Sequence, residues 1–213
     1  MSFDALDDRP PVDPEAALRL IDEQRARTAR QISPDPRLYY WPWGVAWLVS
    51  FGLFFLRSGP DGRVFVDLPR WLPLVVLFML LAAARVVSGL AGARAFGQIA
   101  GDSARRGAWY GLAWFLGFGG MAATLGQVTD HLPDDLRTLM WSGSAVGLTG
   151  ALHMAGGAVW LDSNLWRLGA WISVTNVVGA VLGPGWHSLV VCVAGGGGMV
   201  VAGFIDHRRW RRP

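Results

Sequence analysis

Apolar residues gather along this chain in six blocks, Tyr39–Leu56, Trp71–Ala93, Gly107–Thr129, Thr138–Leu161, Leu165–Gly183 and His187–Ile205, and most charges fall between them. Each block approaches the roughly 20 residues a helix needs to cross a hydrocarbon layer about 30 Å thick. A water-soluble fold would interrupt blocks of this length with polar faces. The pattern predicts an all-α integral membrane protein, with six transmembrane helices over residues 39–205. A charged segment, residues 1–38, precedes them, and a basic tail, residues 206–213, follows.

Within the first segment, Asp13-Pro14-Glu15 reads as a helix start, with Asp13 as N-cap and Pro14 at the first helical position. A charged helix over about residues 14–32 should end near Ser33-Pro34. Its few apolar positions, Leu18, Leu20, Ile21 and Ile32, fit either a solvated helix or one that docks on a partner or on anionic headgroups. No apolar signal core stands ahead of the first block, so that block is expected to direct insertion.

Composition agrees with a bilayer as the surrounding medium. Hydrophobic residues make up 52% and charged ones 16%, and mean hydropathy is +0.32. All 19 basic residues are arginine, which together with abundant Gly and Ala points to a GC-rich bacterium and its inner (cell) membrane. A pI of about 9.7 would suit nucleic acid, but the arginines stand beside the apolar blocks, so no nucleic-acid partner is expected. Arg25, Arg27, Arg30, Arg37, Arg94, Arg105, Arg106, Arg167 and the four tail arginines fall on one side, against Arg57, Arg63, Arg70 and Arg137 on the other. The positive-inside rule then places both termini in the cytoplasm. Cys192 is the single cysteine, so no intrachain disulfide can form.

Repetition is visible inside the blocks. Gly44-Val45-Ala46-Trp47-Leu48-Val49-Ser50-Phe51-Gly52 lies over Gly111-Leu112-Ala113-Trp114-Phe115-Leu116-Gly117-Phe118-Gly119 with five identities in nine. Gly89-Leu90-Ala91-Gly92-Ala93 lies over Gly147-Leu148-Thr149-Gly150-Ala151, and Ala170-Trp171 repeats the Ala-Trp pair once more. Two or three parallel helical hairpins are therefore expected, related by an axis along the membrane normal. The even blocks carry small residues spaced by four: Ala84, Ser88 and Gly92; Gly143, Gly147, Ala151 and Ala155; Ala194, Gly198 and Ala202. Such stripes let helix backbones approach closely. They predict even helices at the centre with the aromatic odd helices outside, or a self-association surface. The run Gly195–Gly198 should weaken the last helix, as a kink or a site of close packing.

Ionisable and polar groups inside a membrane mark functional sites by default. Arg85 and His153 stand at similar depth in the second and fourth blocks, and Asn176 and Gln127 complete the candidate substrate or ion path. Each has a structural reading beside the functional one: snorkelling for Arg85, interhelical hydrogen bonding for His153 and Asn176. No Asp or Glu lies deep in a block, which leaves His153 as the proton carrier and counts against proton drive. No zinc spacing, phosphate loop or nucleophile elbow is present, so neither metal, cofactor nor catalytic residue is expected, and an enzyme is disfavoured. The reading that results is a transporter or channel subunit, a homo-oligomer or the companion of a partner membrane protein, with its path between the even helices. Its rival is a non-catalytic membrane subunit that acts in regulation or assembly through the N-terminal helix.

Overall fold

The computed structural model describes residues 13–32, 35–96 and 101–210. Its secondary structure is helical throughout: α1 (Pro14–Ile32), α2 (Arg37–Arg57), α3 (Leu72–Phe96), α4 (Asp102–Val128), α5 (Asp134–Trp160) and α6 (Ser163–Leu182). The last helix is composite. A short α7 (Trp186–Val190) runs through a π-helical stretch, Val191–Gly196, into α8 (Gly197–Trp210). Three helical stretches are long and apolar enough to cross a membrane, Leu72–Ala93, Ser163–Leu182 and Trp186–Arg208, and they mark a membrane protein.

Helix α1 forms a unit of its own. Asp13 caps it as the sequence implies, its carboxylate accepting from the Glu15 N–H at 3.0 Å. Leu18, Leu20 and Ile21 are exposed on it. The expected end at Ser33-Pro34 lies outside the described residues, as do Arg211 and Arg212 of the tail, whose start at Asp206 instead extends α8 to Trp210.

The remaining helices pack in an open row, in the order α4, α5, α6, the composite last helix, α2 and α3. Consecutive helices thus pack side by side except α3 and α4, which end the row, and the C-terminal helix sits in its interior. The buried core lies along Ala46, Trp47 and Phe51 of α2, Val146 of α5, Ile172 of α6, and Val191 and Met199 of the last helix. This corrects the expectation of outer aromatic helices. Trp47 is only 6% exposed, whereas Trp171 at the matching place in α6 is 49% exposed. The even helices do not cluster centrally either; α3 packs on α2, and α5 chiefly on α6.

Glycines set the spacing within the row. A Cβ at Gly169 would lie 2.5 Å from the Met154 backbone N, and one at Gly157 would lie 2.6 Å from that of Trp166, so α5 and α6 touch backbone to backbone. Gly150 belongs to the same seam. Ala151 and Ala155 of the expected stripe are exposed instead. In the last helix, Gly196 approaches Gly44 O and Leu48 N of α2, while Gly195 supports the Trp47 ring. The weakness expected around Gly195 takes the form of the π stretch, which ends at Gly196.

A second use of glycine is chemical. A helical side chain leans toward the N-terminus and covers the preceding turn, so a glycine leaves the carbonyl four residues earlier bare. Neighbouring helices donate to carbonyls opened in this way. Trp171 Nε1 donates to Ala194 O at 2.8 Å beside Gly198, and the Tyr110 hydroxyl donates to Leu152 O at 2.6 Å beside Gly156. Cys192 Sγ donates to Leu48 O at 3.1 Å, with Gly52 four residues on. Proline achieves the same end in α2. Pro42 has no N–H to offer Leu38 O, and the Ser88 hydroxyl of α3 donates to that carbonyl at 3.2 Å while accepting from Trp43 Nε1 at 3.0 Å.

Candidate functional site

The four residues of the expected path are not brought together. Arg85 is exposed on α3, and its guanidinium lies along its own helix, 3.1 Å from where a Gly89 side chain would begin. It makes no hydrogen bond or ion pair among the described residues, the posture of an arginine reaching along a helix toward the membrane surface. Gln127 is exposed in the last turn of α4. His153 faces α4: its Nδ1 donates to Thr149 O at 2.8 Å, and its ring meets Trp114 edge-on at 5.3 Å. Only Asn176 enters a polar cluster.

That cluster is built around His187, in the first turn of α7. Gly183 (φ +92°) and Gly185 (φ +81°) turn the chain between α6 and α7 in conformations open to glycine. Gly185 also abuts Gly59 and Pro60 of the loop after α2, where a Cβ would overlap the backbone. Held by this turn, His187 is 1% exposed, and its ring and backbone lie over Gly179 of α6, whose Cβ would stand 3.0 Å from His187 Cδ2. Its Nε2 is 2.8 Å from Asn176 Oδ1 and its Nδ1 is 3.1 Å from Ser142 Oγ.

Donor counting fixes most of the protons. Asn176 Nδ2 donates to Gly143 O at 3.0 Å, a carbonyl bared by Gly147, so Oδ1 must accept and His187 Nε2 must donate. Ser142 Oγ lies between two acceptors, His187 Nδ1 and Thr138 O, the latter at 2.7 Å. With a neutral imidazole, Ser142 donates to Nδ1. With an imidazolium, Nδ1 donates to Ser142 Oγ and the hydroxyl turns to Thr138 O. Both protonation states are satisfied without moving a heavy atom.

A recess lined by Ser58, Asp135, Ser142, Gly185, His187 and Ser188 leads to the cluster, with about 10 Å³ open to the centre of a water-sized sphere, room for about one water. Around its rim the turn from α4 into α5 is tied down by Arg137, which donates to Thr129 O, Asp130 O and Leu132 O at 3.0–3.1 Å. Asp134 pairs with Arg70, and that guanidinium holds its carboxyl below the usual carboxylate range. The described residues bring no three metal-ligating side chains together.

The His187 cluster escaped the sequence reading because a histidine next to Pro184-Gly185 reads as an interfacial turn residue. One signal was present. Asn176 and Gly179 share a helix face at a spacing of three, a polar group beside a gap where a ring can lie.

The chain is thus an all-helical membrane protein with a buried, hydrogen-bonded histidine cluster at one end of its bundle. Comparisons with family models, curated proteins and solved structures find no match for it.

Proposed function

We propose that this is a small bacterial six-span membrane protein acting as a transport or permeation subunit, with His187 as its proton-binding station. The observation that carries the reading is the partner set of one buried imidazole, complete in both its neutral and its protonated form. Binding is simple addition: a proton entering from the recess joins Nδ1, and the Ser142 proton swings from Nδ1 to Thr138 O. Asp135 is the one acidic group lining the recess, and Arg57 stands behind Ser58, its guanidinium 3.4 Å from Ser58 Oγ and 3.2 Å from Leu68 O. Asn176 is the partner from α6. With both termini cytoplasmic, as the arginines suggest, the recess faces outward. The adjacent hairpins of the row support three parallel repeats, and the exposed faces of α3 and α4 suit a second copy or a partner membrane protein.

Proteoliposomes loaded with a pH-sensitive dye, under a potassium diffusion potential, test the reading. His187→Gln is expected to abolish proton-dependent flux, while Arg85→Ala and His153→Ala retain it. No flux in the parent protein, or full flux in His187→Gln, would sink the proposal.

The exposed Leu18, Leu20 and Ile21 of α1 favour a second reading, a membrane subunit that recruits a partner through that helix. Deleting residues 1–32 should then release the partner, and retention would exclude α1 as its dock.

A further inference from the structure

A groove of about 660 Å³ runs between α6 and α8. Its floor is made by the small residues Ala194, Gly197, Gly198 and Ala202, and its walls by apolar side chains that include Trp171 and Val201. One end is different. Tyr40, Asn164, Arg167 and Asp206 line it there, at the end of the bundle where α2 begins and α8 ends. Among the described residues no ion pair joins Arg167 to Asp206 or to any other carboxylate, and the Tyr40 hydroxyl hydrogen-bonds to Asp206. A cation and an anion thus line the same end of the groove with no ion pair between them.

The dimensions suit one lipid molecule. From Val193 to Asp206 the groove follows about 20 Å of helix, close to one headgroup plus half of a hydrocarbon layer about 30 Å thick. The volume falls in the range of small-molecule pockets, roughly 300–1,000 Å³. Trp171 cannot swing away to fill it, because its indole N–H is held on Ala194 O at 2.8 Å and its ring lies against Gly198.

We propose that this groove binds one phospholipid of the leaflet at the end where α2 begins and α8 ends, with a headgroup that carries both a phosphate and a primary amine. Arg167 takes the phosphate through its guanidinium fork. Asp206, oriented by its hydrogen bond from the Tyr40 hydroxyl, takes the ammonium, and Asn164 supplies a neutral hydrogen bond. The acyl chain lies on the Gly198 and Ala202 floor. An anionic lipid without an amine leaves Asp206 facing a like charge, and a choline headgroup offers it no N–H.

Native mass spectrometry of the full chain, released from detergent with defined lipids added, reads this directly. Phosphatidylethanolamine should be retained over phosphatidylcholine and phosphatidylglycerol by about tenfold, the factor one charge-assisted hydrogen bond supplies. Asp206→Asn should erase that preference while leaving phospholipid bound, and Arg167→Gln should weaken all three lipids. Gly198→Leu should empty the groove, with Asp206→Asn as the informative variant if that protein does not fold. Equal retention of the three lipids by the parent would overturn the proposal. So would a preference unchanged in Asp206→Asn, or a dimer that Gly198→Leu dissolves, which would give the groove to a second copy of the chain.

Discussion

At the scale of single residues, the polar groups of this protein act mainly between helices. Trp41, Tyr110, Trp171, Asn176 and Cys192 each donate to a main-chain carbonyl of another helix. Such bonds contribute about 0.6 kcal/mol on average in a bilayer, so together they matter more for fit than for bulk stability. Asp35, just ahead of α2, lies outside the apolar blocks and makes a different contribution. Its carboxylate takes a bidentate contact from Arg37 Nε and a third bond from Arg37 Nη2 at 2.6 Å, and it lies 3.1 Å from His207 Nδ1. Hydrogen bonding by Arg37 pulls its pKa down from 3.8 to about 2. A carboxyl depressed in the folded state stabilises the fold above its unfolded pKa and loses that contribution as pH falls through the folded one. Thermal melts in detergent should therefore drop between about pH 4 and pH 2 in the parent and less steeply in Asp35→Asn. Equal slopes would show that the contact adds nothing to stability.

At the scale of helices, the apolar blocks located every element of the bundle to within about five residues, since block length and flanking charge are dictated by the bilayer itself. What spacing could not reveal was which face each stripe served. Gly143 and Gly147 of the expected stripe lie against the Asn176 side chain of α6, but the backbone contact with that helix is made at Gly150 and Gly157, off the stripe. A four-residue period marks a face and leaves its partner unnamed. The consequence is testable with matched substitutions. Gly169→Ala forces a methyl group to within 2.7 Å of Gly150 O and should cost about 1–3 kcal/mol. Gly111→Ala meets nothing within 4 Å and should be neutral or add about 0.5–1 kcal/mol by helix propensity. Chemical unfolding in mixed micelles compares the two. Similar behaviour of both variants would refute the backbone seam between α5 and α6.

At the scale of the whole molecule, the proposal is that the chain crosses the bilayer six times and returns to the same side, a reading that the arginine distribution and the length of the apolar blocks favour. Reporter fusions check it. A fluorescent protein at the C-terminus should fold in the cytoplasm, and an exported phosphatase fused after Asp61 should be active. An inactive phosphatase there would reverse the orientation. The row order itself was not legible in the sequence, because adjacency between α2 and the last helix joins residues more than 140 positions apart, as Cys192 and Leu48 do.

That order also bears on time. Among the bundle helices, a ribosome releases α2 first and the helix that covers Ala46, Trp47 and Phe51 last. Throughout synthesis the first hairpin and the trio α4 to α6 wait as separate fragments, and only the C-terminal helix joins them into one body. A chain stopped short of that helix holds two pieces with no common core, which makes it a ready substrate for membrane quality control, whereas a completed chain closes its structure in a single late step.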